Sequence, residues 1–242
     1  MREILKADLH LHTGEDRAEK IKHSAYDLLG EAYRRGFDVI SITNHDAIAH
    51  TAELESFAGS LGILLIPGVE LTVEAAHVLV LGELSGLEEV QRLDDLYRLK
   101  SERTLIIAPH PFFPATAGLG DRLYRYLDLF DALEICQCYT RLVDFNRPAV
   151  RLAAKANLPL AAFSDSHQLW QFGRQYSLIM AERSLEGIVA AVRTGLIQPV
   201  TNPLGMFDAL RYGVWVMPAL ASAVFGREPA GSSVSRNLQP VN

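Results

Sequence analysis

The chain has 242 residues, 49% hydrophobic and 21% charged, which suits a soluble globular protein burying one large core in a single catalytic-sized domain. A net charge of −6 excludes a general basic surface, so nucleic acid is not an expected partner, while small phosphorylated molecules stay open through a local basic patch or bound metal ions. Met1 to Ala7 lacks the succession of basic, apolar and small residues that marks a signal peptide, and the expected location is cytoplasmic.

In chain order, the first apolar run, Ile4–Leu9, ends in "DLHLHTGED". Strand side chains at i and i+2 share a face about 7 Å apart at Cα, so His10 and His12 form a pincer suited to one metal ion. "SAYDLLGEAYRRG" predicts a helix with Tyr26, Leu29 and Tyr33 on one face, Ser24 as N-cap and Gly36 as stop. Further strands are expected near Asp38–Thr43, Ile63–Pro67, Val78–Leu81, Thr104–Ala108, Ala132–Cys136 and Leu160–Phe163, with "GLEEVQRLDDLYRLKSE" as a helix after the fourth. "RPAVRLAAKAN" places Val150 and Ala154 on a helical face stopped by Asn157, and "ERSLEGIVAAVRTG" runs from a Ser184 cap to Gly195. Short apolar runs alternating with helical segments are the pattern of βα units around a parallel sheet. Cys136 and Cys138 alternate within one strand and face the same side, as small strand residues rather than a disulfide framework. From Met206 to Phe225 the residues Met206, Leu210, Val214, Met217, Ala221 and Val224 predict an amphipathic helix packed on the outside, kinked at Pro218 and too short to span a membrane. From Arg227 the composition reads as a disordered tail.

The remaining histidines and carboxylates then cluster. "SITNHD" sets His45 and Asp46 just past a strand, "LIPGVE" sets Glu70 past another, "LIIAPHP" ends with His110, and "LAAFSDSH" ends with Asp165 and His167. His77 is the exception, because it opens its strand. In a parallel barrel the C-terminal strand ends share one face, where barrel enzymes keep their chemistry, so a shared site is expected there. Mixed imidazole and carboxylate donors suit zinc, manganese or iron.

The ordered set "DLHLHT", "TNHD", "PGVE", "AHVLVLG", "APHP" and "SDSH", followed by "AERSLEGIVAAVRTGL", resembles the polymerase and histidinol phosphatase (PHP) superfamily over about Leu5 to Val200. The resemblance implies a distorted TIM-like (β/α)7 barrel over residues 1–205, with two or three divalent metals at the C-terminal ends of its strands. Residues 206–226 would be the packed helical segment and 227–242 the tail. It also implies one metal on His10, His12, Glu70 and Asp165, and a second on Glu70, His77 and His110. A third would take His45, His167 and one residue after the His-x-His pair. Relatives place an Asp or His five or six positions after the second histidine; Asp16 is taken here, with Glu15 and His23 as alternatives.

The implied activity is hydrolysis of phosphate esters, a metal-bridging hydroxide attacking phosphorus. Asp46 follows the ligand His45 and is expected to protonate the leaving oxygen or orient that histidine. Arg141, Arg147 and Arg174 are candidate phosphate clamps. Glu134 matches a position near the family's site but could equally pair with a lysine, and His50 is read as a solvated loop residue. Amide hydrolysis and a non-catalytic metal-bound module are the rivals. The long loops "PFFPATAGLGDRLYRY" and "CYTRLVDFNR" cover the mouth in this reading, and their aromatic and Arg content favours a small, nucleotide-like substrate. The same loops could instead meet another subunit, and the C-terminal segment is the second surface through which copies could associate.

Overall fold

The structure, a computed structural model, describes residues 1–114 and 117–213. Strand β1 (Glu3–Asp8) leads through a loop into helix α1 (Ala25–Arg34). Ser24 caps α1 reciprocally: its Oγ accepts from Asp27 N–H while the Asp27 carboxylate accepts from Ser24 N–H, which satisfies backbone donors the helix start leaves over. Gly36, at φ +65°, ends the helix as expected. The buried face is Ala25, Leu28, Leu29 and Ala32, whereas Tyr26 and Tyr33 stay exposed. Small and aliphatic side chains let the helix lie close to the sheet, and the tyrosines keep their hydroxyls in water.

β2 (Val39–Ile40), α2 (Ala52–Ser60, capped by Thr51) and β3 (Leu64–Leu65) follow. β4 (Gly68–Val73), beyond the strand expected at Ile63–Pro67 and not itself expected as one, pairs with β5 (Ala76–Gly82) in an antiparallel hairpin. Its turn residues, Glu74 and Ala75, both have positive φ (50° and 59°), the left-handed conformation of a two-residue hairpin turn. The segment expected as one helix before the next strand is two 3-10 turns, Leu87–Glu89 and Leu93–Leu99. Leu93, Leu96 and Leu99 recur every three residues, which matches the 3-10 period and buries one edge. The chain continues through β6 (Thr104–Ala108), β7 (Ala132–Ile135), α3 (Arg147–Ala156), β8 (Leu160–Ala162), β9 (Tyr176–Ala181), α4 (Leu185–Arg193) and β10 (Ile197–Val200). In α3, Val150 is exposed and the buried side is Ala149, Leu152 and Ala153.

The fold is mixed α/β, but its strands do not close into one (β/α)7 barrel. They form two five-stranded sheets, β10-β9-β1-β2-β3 and β4-β5-β6-β7-β8. The β4–β5–β6 meander and the antiparallel β1–β9–β10 edge replace βα crossovers with direct pairing. Pro199 is tolerated in β10 because that strand is a sheet edge. Two isolated bridges, Leu11–Ser166 and His45–Glu70, join the sheets at the end where the site lies. A shared core draws Leu5, Ala7 and Ile179 from the first sheet, Leu79, Ile107 and Ala161 from the second, Leu9 and Phe163 from just past the ends of β1 and β8, and Ile188 and Val192 from α4.

Cys136 and Cys138 are free thiols beside the end of β7. Residues 206–213 are helical, with Met206, Phe207 and Leu210 exposed and Tyr212 buried. The rest of the expected C-terminal helix and the tail, 214–242, lie outside the described residues. Among the described residues, no helix is long and apolar enough to cross a membrane.

Gly82 sits at φ +98°, and a Cβ there would overlap the Arg103 carbonyl oxygen. Gly82→Ala is expected to destabilise the fold by about 3 kcal/mol. Gly30→Ala, where α1 leaves open space, should be neutral or stabilising by up to about 1 kcal/mol. Urea unfolding of both variants checks the pair.

Candidate metal centre

The expected histidines and carboxylates converge where the two sheets meet. His10 and His12 follow β1, His45 follows β2, Glu70 lies in β4, His110 follows β6, and Asp165 and His167 follow β8. His77 is no exception in three dimensions. Because β5 runs antiparallel to β4 and β6, with Thr72 opposite His77, its start reaches the same end as the finish of β6.

Glu70, 1% exposed, is the centre of the cluster. Its Oε2 lies 3.4 Å from His10 Nε2, 3.3 Å from His12 Nε2 and 3.1 Å from His45 Nε2. Its Oε1 lies 2.8 Å from His77 Nδ1 and 3.2 Å from His110 Nε2. One carboxylate thus faces two separate sets of imidazoles. Asp165 repeats the pattern, with Oδ1 at 3.5 and 3.4 Å from the Nε2 atoms of His10 and His12 and Oδ2 at 4.0 Å from His110 Nε2. Ligand-capable atoms gather in four overlapping groups: His10/His12/Glu70, His10/His110/Asp165, His45/Glu70/His77 and His12/His45/His167. Asp165, His110 and Asp46 hold φ values of +44°, +29° and +47°, backbone strain of the kind that concentrates at functional sites.

The donor set fits divalent cations on an observation internal to the fold. The buried Nε2 atoms of His10 and His12 and Nδ1 of His77 make no hydrogen bond, although carboxylate oxygens surround them. Their partner ring nitrogens explain why. His10 Nδ1 bonds Glu134 at 3.0 Å, so its Nε2 is left as a lone-pair donor. His12 Nδ1 and His45 Nδ1 both bond Asp16 Oδ2, at 3.1 and 2.8 Å, and the same oxygen accepts the His45 N–H.

Asp16 therefore stands behind the imidazoles instead of among the ligand atoms. Its alternatives are also turned elsewhere: Glu15 accepts the Ala25 N–H at the start of α1, and His23 bonds the His12 carbonyl. Glu134 is a site residue, accepting from His10 and from the His110 N–H, with no lysine involved. Asp46 accepts the Thr72 N–H and donates its own N–H to the Glu70 carbonyl, which fastens the His45 loop to β4. Arg174 is paired with Asp208, Arg147 with Asp144, and Arg141 is exposed, so none is gathered into the cluster. His50 is half-buried beside Glu55 and outside it. Glu19, which the sequence reading passed over, has its Oε2 3.5 Å from His167 Nε2. A polar loop glutamate with no strand end to fix it carries no signal in sequence.

The electrostatics reflect crowding of opposite charges. Burial opposes charge on His10 and His12, but Glu134, Asp165 and Glu70 around the first and Asp16, Asp165 and Glu70 around the second raise both well above the usual imidazole range. His110 is raised as well, burial again being outweighed by Glu70 and Asp165. His167 goes the other way: burial and the neighbouring His12 push it down to about 3. Burial opposes ionisation of Glu70, yet His77, His10 and His45 hold it well below the usual carboxylate range. Asp8, wholly buried behind His10, is pushed up to about 7 by burial.

The family described as PHP-associated matches residues 143–196. An uncharacterized protein of Methanocaldococcus jannaschii is 31% identical over 174 residues, which cover 66% of this chain and 96% of that protein. Among solved structures, a two-domain protein from Bacteroides vulgatus containing a predicted PHP-like metal-dependent phosphoesterase aligns with a TM-score of 0.66 at 25% identity, over 87% of this chain and 69% of that one. Endonuclease Q, in complex with a 27-mer duplex bearing an abasic lesion at the active site, shares the fold with a TM-score of 0.58 at 16% identity, over 79% of this chain and 57% of that one.

The histidine shifts set a sign for stability in the metal-free protein. Where a folded-state pKa is raised, the native state binds more protons than the unfolded one, so the stability it confers is present below the unfolded value and lost as pH rises. Chelator-treated protein should therefore lose stability across the window that opens above about pH 6.5, as His10, His12 and His110 give up protons that the native state holds. Urea midpoints across that window check it, and a flat or rising profile would count against the arrangement.

Proposed function

The chain belongs to the PHP superfamily, and on that premise we propose that it is a metal-dependent phosphoesterase acting on small phosphate esters, with two or three divalent cations at the cluster. The supporting observation is the placement of Glu70, whose two oxygens face different imidazole sets, His10, His12 and His45 on one side and His77 and His110 on the other. In this reading His10, His12, Glu70 and Asp165 hold one cation, and Glu70, His77 and His110 a second. His45 and His167 serve a third, with Glu19 beside them. Asp16 moves from ligand to support. Cations bound there would neutralise phosphoryl charge and bring the pKa of a water toward neutrality, giving the nucleophile for ester cleavage.

The protein's own part is orientation. Glu134 and Asp16 hold the Nδ1 protons of His10, His12 and His45, which keeps their Nε2 lone pairs directed at the shared space. Asp46 positions the His45 loop through its two backbone bonds to β4. The arginines are not assigned to phosphate binding, since Arg174 and Arg147 are engaged by carboxylates at 2.5 and 3.7 Å.

Substrate size is proposed from the sequence of the rim loops, rich in aromatic residues. Endonuclease Q holds a 27-mer duplex substrate with the same fold, so the expectation against nucleic acid loses its footing and oligonucleotides belong in the test. Metal-reconstituted protein should carry two or three Zn, Mn or Fe ions per chain by elemental analysis. It should hydrolyse mononucleotides or sugar phosphates with higher kcat/KM than oligonucleotides or amides. A rate that rises with oligonucleotide length would replace the small-ester reading with a nuclease, and turnover of amides alone would replace it with C–N hydrolysis. His10→Ala and Asp165→Ala are each expected to lower kcat at least about a thousandfold in a folded protein. Asp16→Asn should weaken metal affinity about 10- to 100-fold, since it removes an acceptor shared by two ligand rings.

A further inference from the structure

Beyond β10, residues 201–213 run back across the loops that follow β7 and β8, held by separate contacts along the way, and the last of them, at Tyr212, continues through Gln137 to Asp165. Tyr139 Oη donates to Thr201 Oγ1 at 3.0 Å, and the Leu204 N–H donates to the Tyr139 carbonyl at 2.8 Å. Arg174 donates to Asp208 at 2.5 Å. The Arg211 guanidinium lies 3.7 Å over the Trp170 ring, and Tyr212 meets the same ring edge-on with centroids 4.9 Å apart. Tyr212 Oη, in a ring only 2% exposed, donates to Gln137 Oε1 at 2.7 Å. Gln137 Nε2 then donates to the carbonyl of Asp165 at 3.3 Å.

The direction of this relay is fixed by chemistry. A carbonyl can only accept, so the Gln137 amide must present Nε2 to Asp165 and Oε1 to Tyr212, whose hydroxyl supplies the proton. Without the hydroxyl, the amide loses the partner that fixes its orientation. Asp165 needs such support. Its φ of +44° is a conformation that non-glycine residues hold only where the surroundings impose it. Gln137 Nε2 and, at 3.1 Å, His167 Nδ1 both meet the carbonyl of that residue, and of the two only Gln137 lies outside the cluster whose rings face the Asp165 carboxylate.

We propose that Tyr212 is a positioning residue for Asp165, acting through Gln137, so that the strap formed by residues 201–213 is part of the metal centre's support. This rests on the metal-centre reading of Asp165 given above. It also explains why Arg174 and Trp170, at the rim of the site, face Asp208, Arg211 and Tyr212: they fasten the strap.

The test uses the full chain stripped with chelator and titrated with Co²⁺, whose visible absorption reports the geometry of its ligands. Tyr212→Phe keeps the ring against Trp170 and deletes only the hydroxyl. It should weaken Co²⁺ affinity about 3- to 10-fold and alter the absorption bands, with circular dichroism unchanged. Gln137→Met, which removes the middle of the relay while leaving every residue of the strap in place, should do the same. The double variant should be no worse than the poorer single one, because both act on one link. Tyr97→Phe, which deletes a hydroxyl bonded to Asp128 far from the site, should change nothing. In whichever phosphate ester assay succeeds, kcat should fall in the two single variants with KM held.

Wild-type Co²⁺ affinity and spectrum in both variants would overturn the proposal, as would effects that add in the double variant. Co²⁺ uptake without ester hydrolysis would defeat the phosphoesterase reading alone and leave the affinity comparison decisive for Tyr212. Failure of the wild type to take up Co²⁺ would overturn both.

Discussion

Glu70 is the constraint from which the rest of the site follows. A carboxylate 1% exposed costs several kcal/mol to desolvate unless positive charge or hydrogen-bond donors meet it. Here five imidazoles, those of His10, His12, His45, His77 and His110, come within 3.4 Å of its oxygens. Those rings bring no fixed charge, and the buried Asp16 and Glu134, together with the partly exposed Asp165, add further carboxylates around them. A pocket of four carboxylates among imidazoles is balanced either by protonated histidines or by cations. The raised pKa values of His10 and His12 express the first solution, and the bare Nε2 atoms express readiness for the second.

The fold delivers these groups from two sheets that meet without closing into a barrel. The tight β4–β5 hairpin puts Glu70 and His77 on adjacent strands, and the His45–Glu70 bridge ties the first sheet to the second at the cluster itself. Behind the candidate ligands stands another layer. Asp16 and Glu134 set ring tautomers, Asp46 anchors a loop by its backbone, and Gln137 holds the carbonyl of a strained aspartate. Held this way, ligand atoms are oriented before any cation arrives, which is the usual condition for tight and selective binding.

Much of the clustering was legible in the chain because most of the gathered residues sit at strand ends, where apolar runs stop and a histidine or acid is conspicuous. The His10–His12 pair, His45, His110, Asp165 and His167 all announce themselves so. Asp16 was found as a residue of the site but read as a ligand, since sequence spacing cannot tell an acid facing a cation from one bonded to the far nitrogens of two rings. Glu134 could be paired only by seeing β7 beside His10. The hairpin strand β4 escaped notice because its turn is Glu74-Ala75, with neither the glycine nor the asparagine that its positive φ values favour. Missing it, and missing β9 and β10 as well, hid the antiparallel pairing, so nothing in the chain opposed the closed barrel that the family resemblance implied. Tyr26, Leu29 and Tyr33 share one stripe of α1, yet only Leu29 is buried, because spacing identifies a stripe but not which stripe the sheet accepts. The Tyr212–Gln137 link joins residues 75 positions apart and left no local trace.

The account stands on Glu70 being shared between cations. X-ray diffraction from crystals of the metal-loaded protein, collected on both sides of the absorption edge of the bound metal, tests this most directly. The account predicts two anomalous peaks flanking the Glu70 carboxylate, about 3.5 to 4 Å apart, one beside the Nε2 atoms of His10 and His12 and the other beside His77 and His110. A loaded crystal with no peak at Glu70, or with Glu70 turned away from the metals, would contradict it.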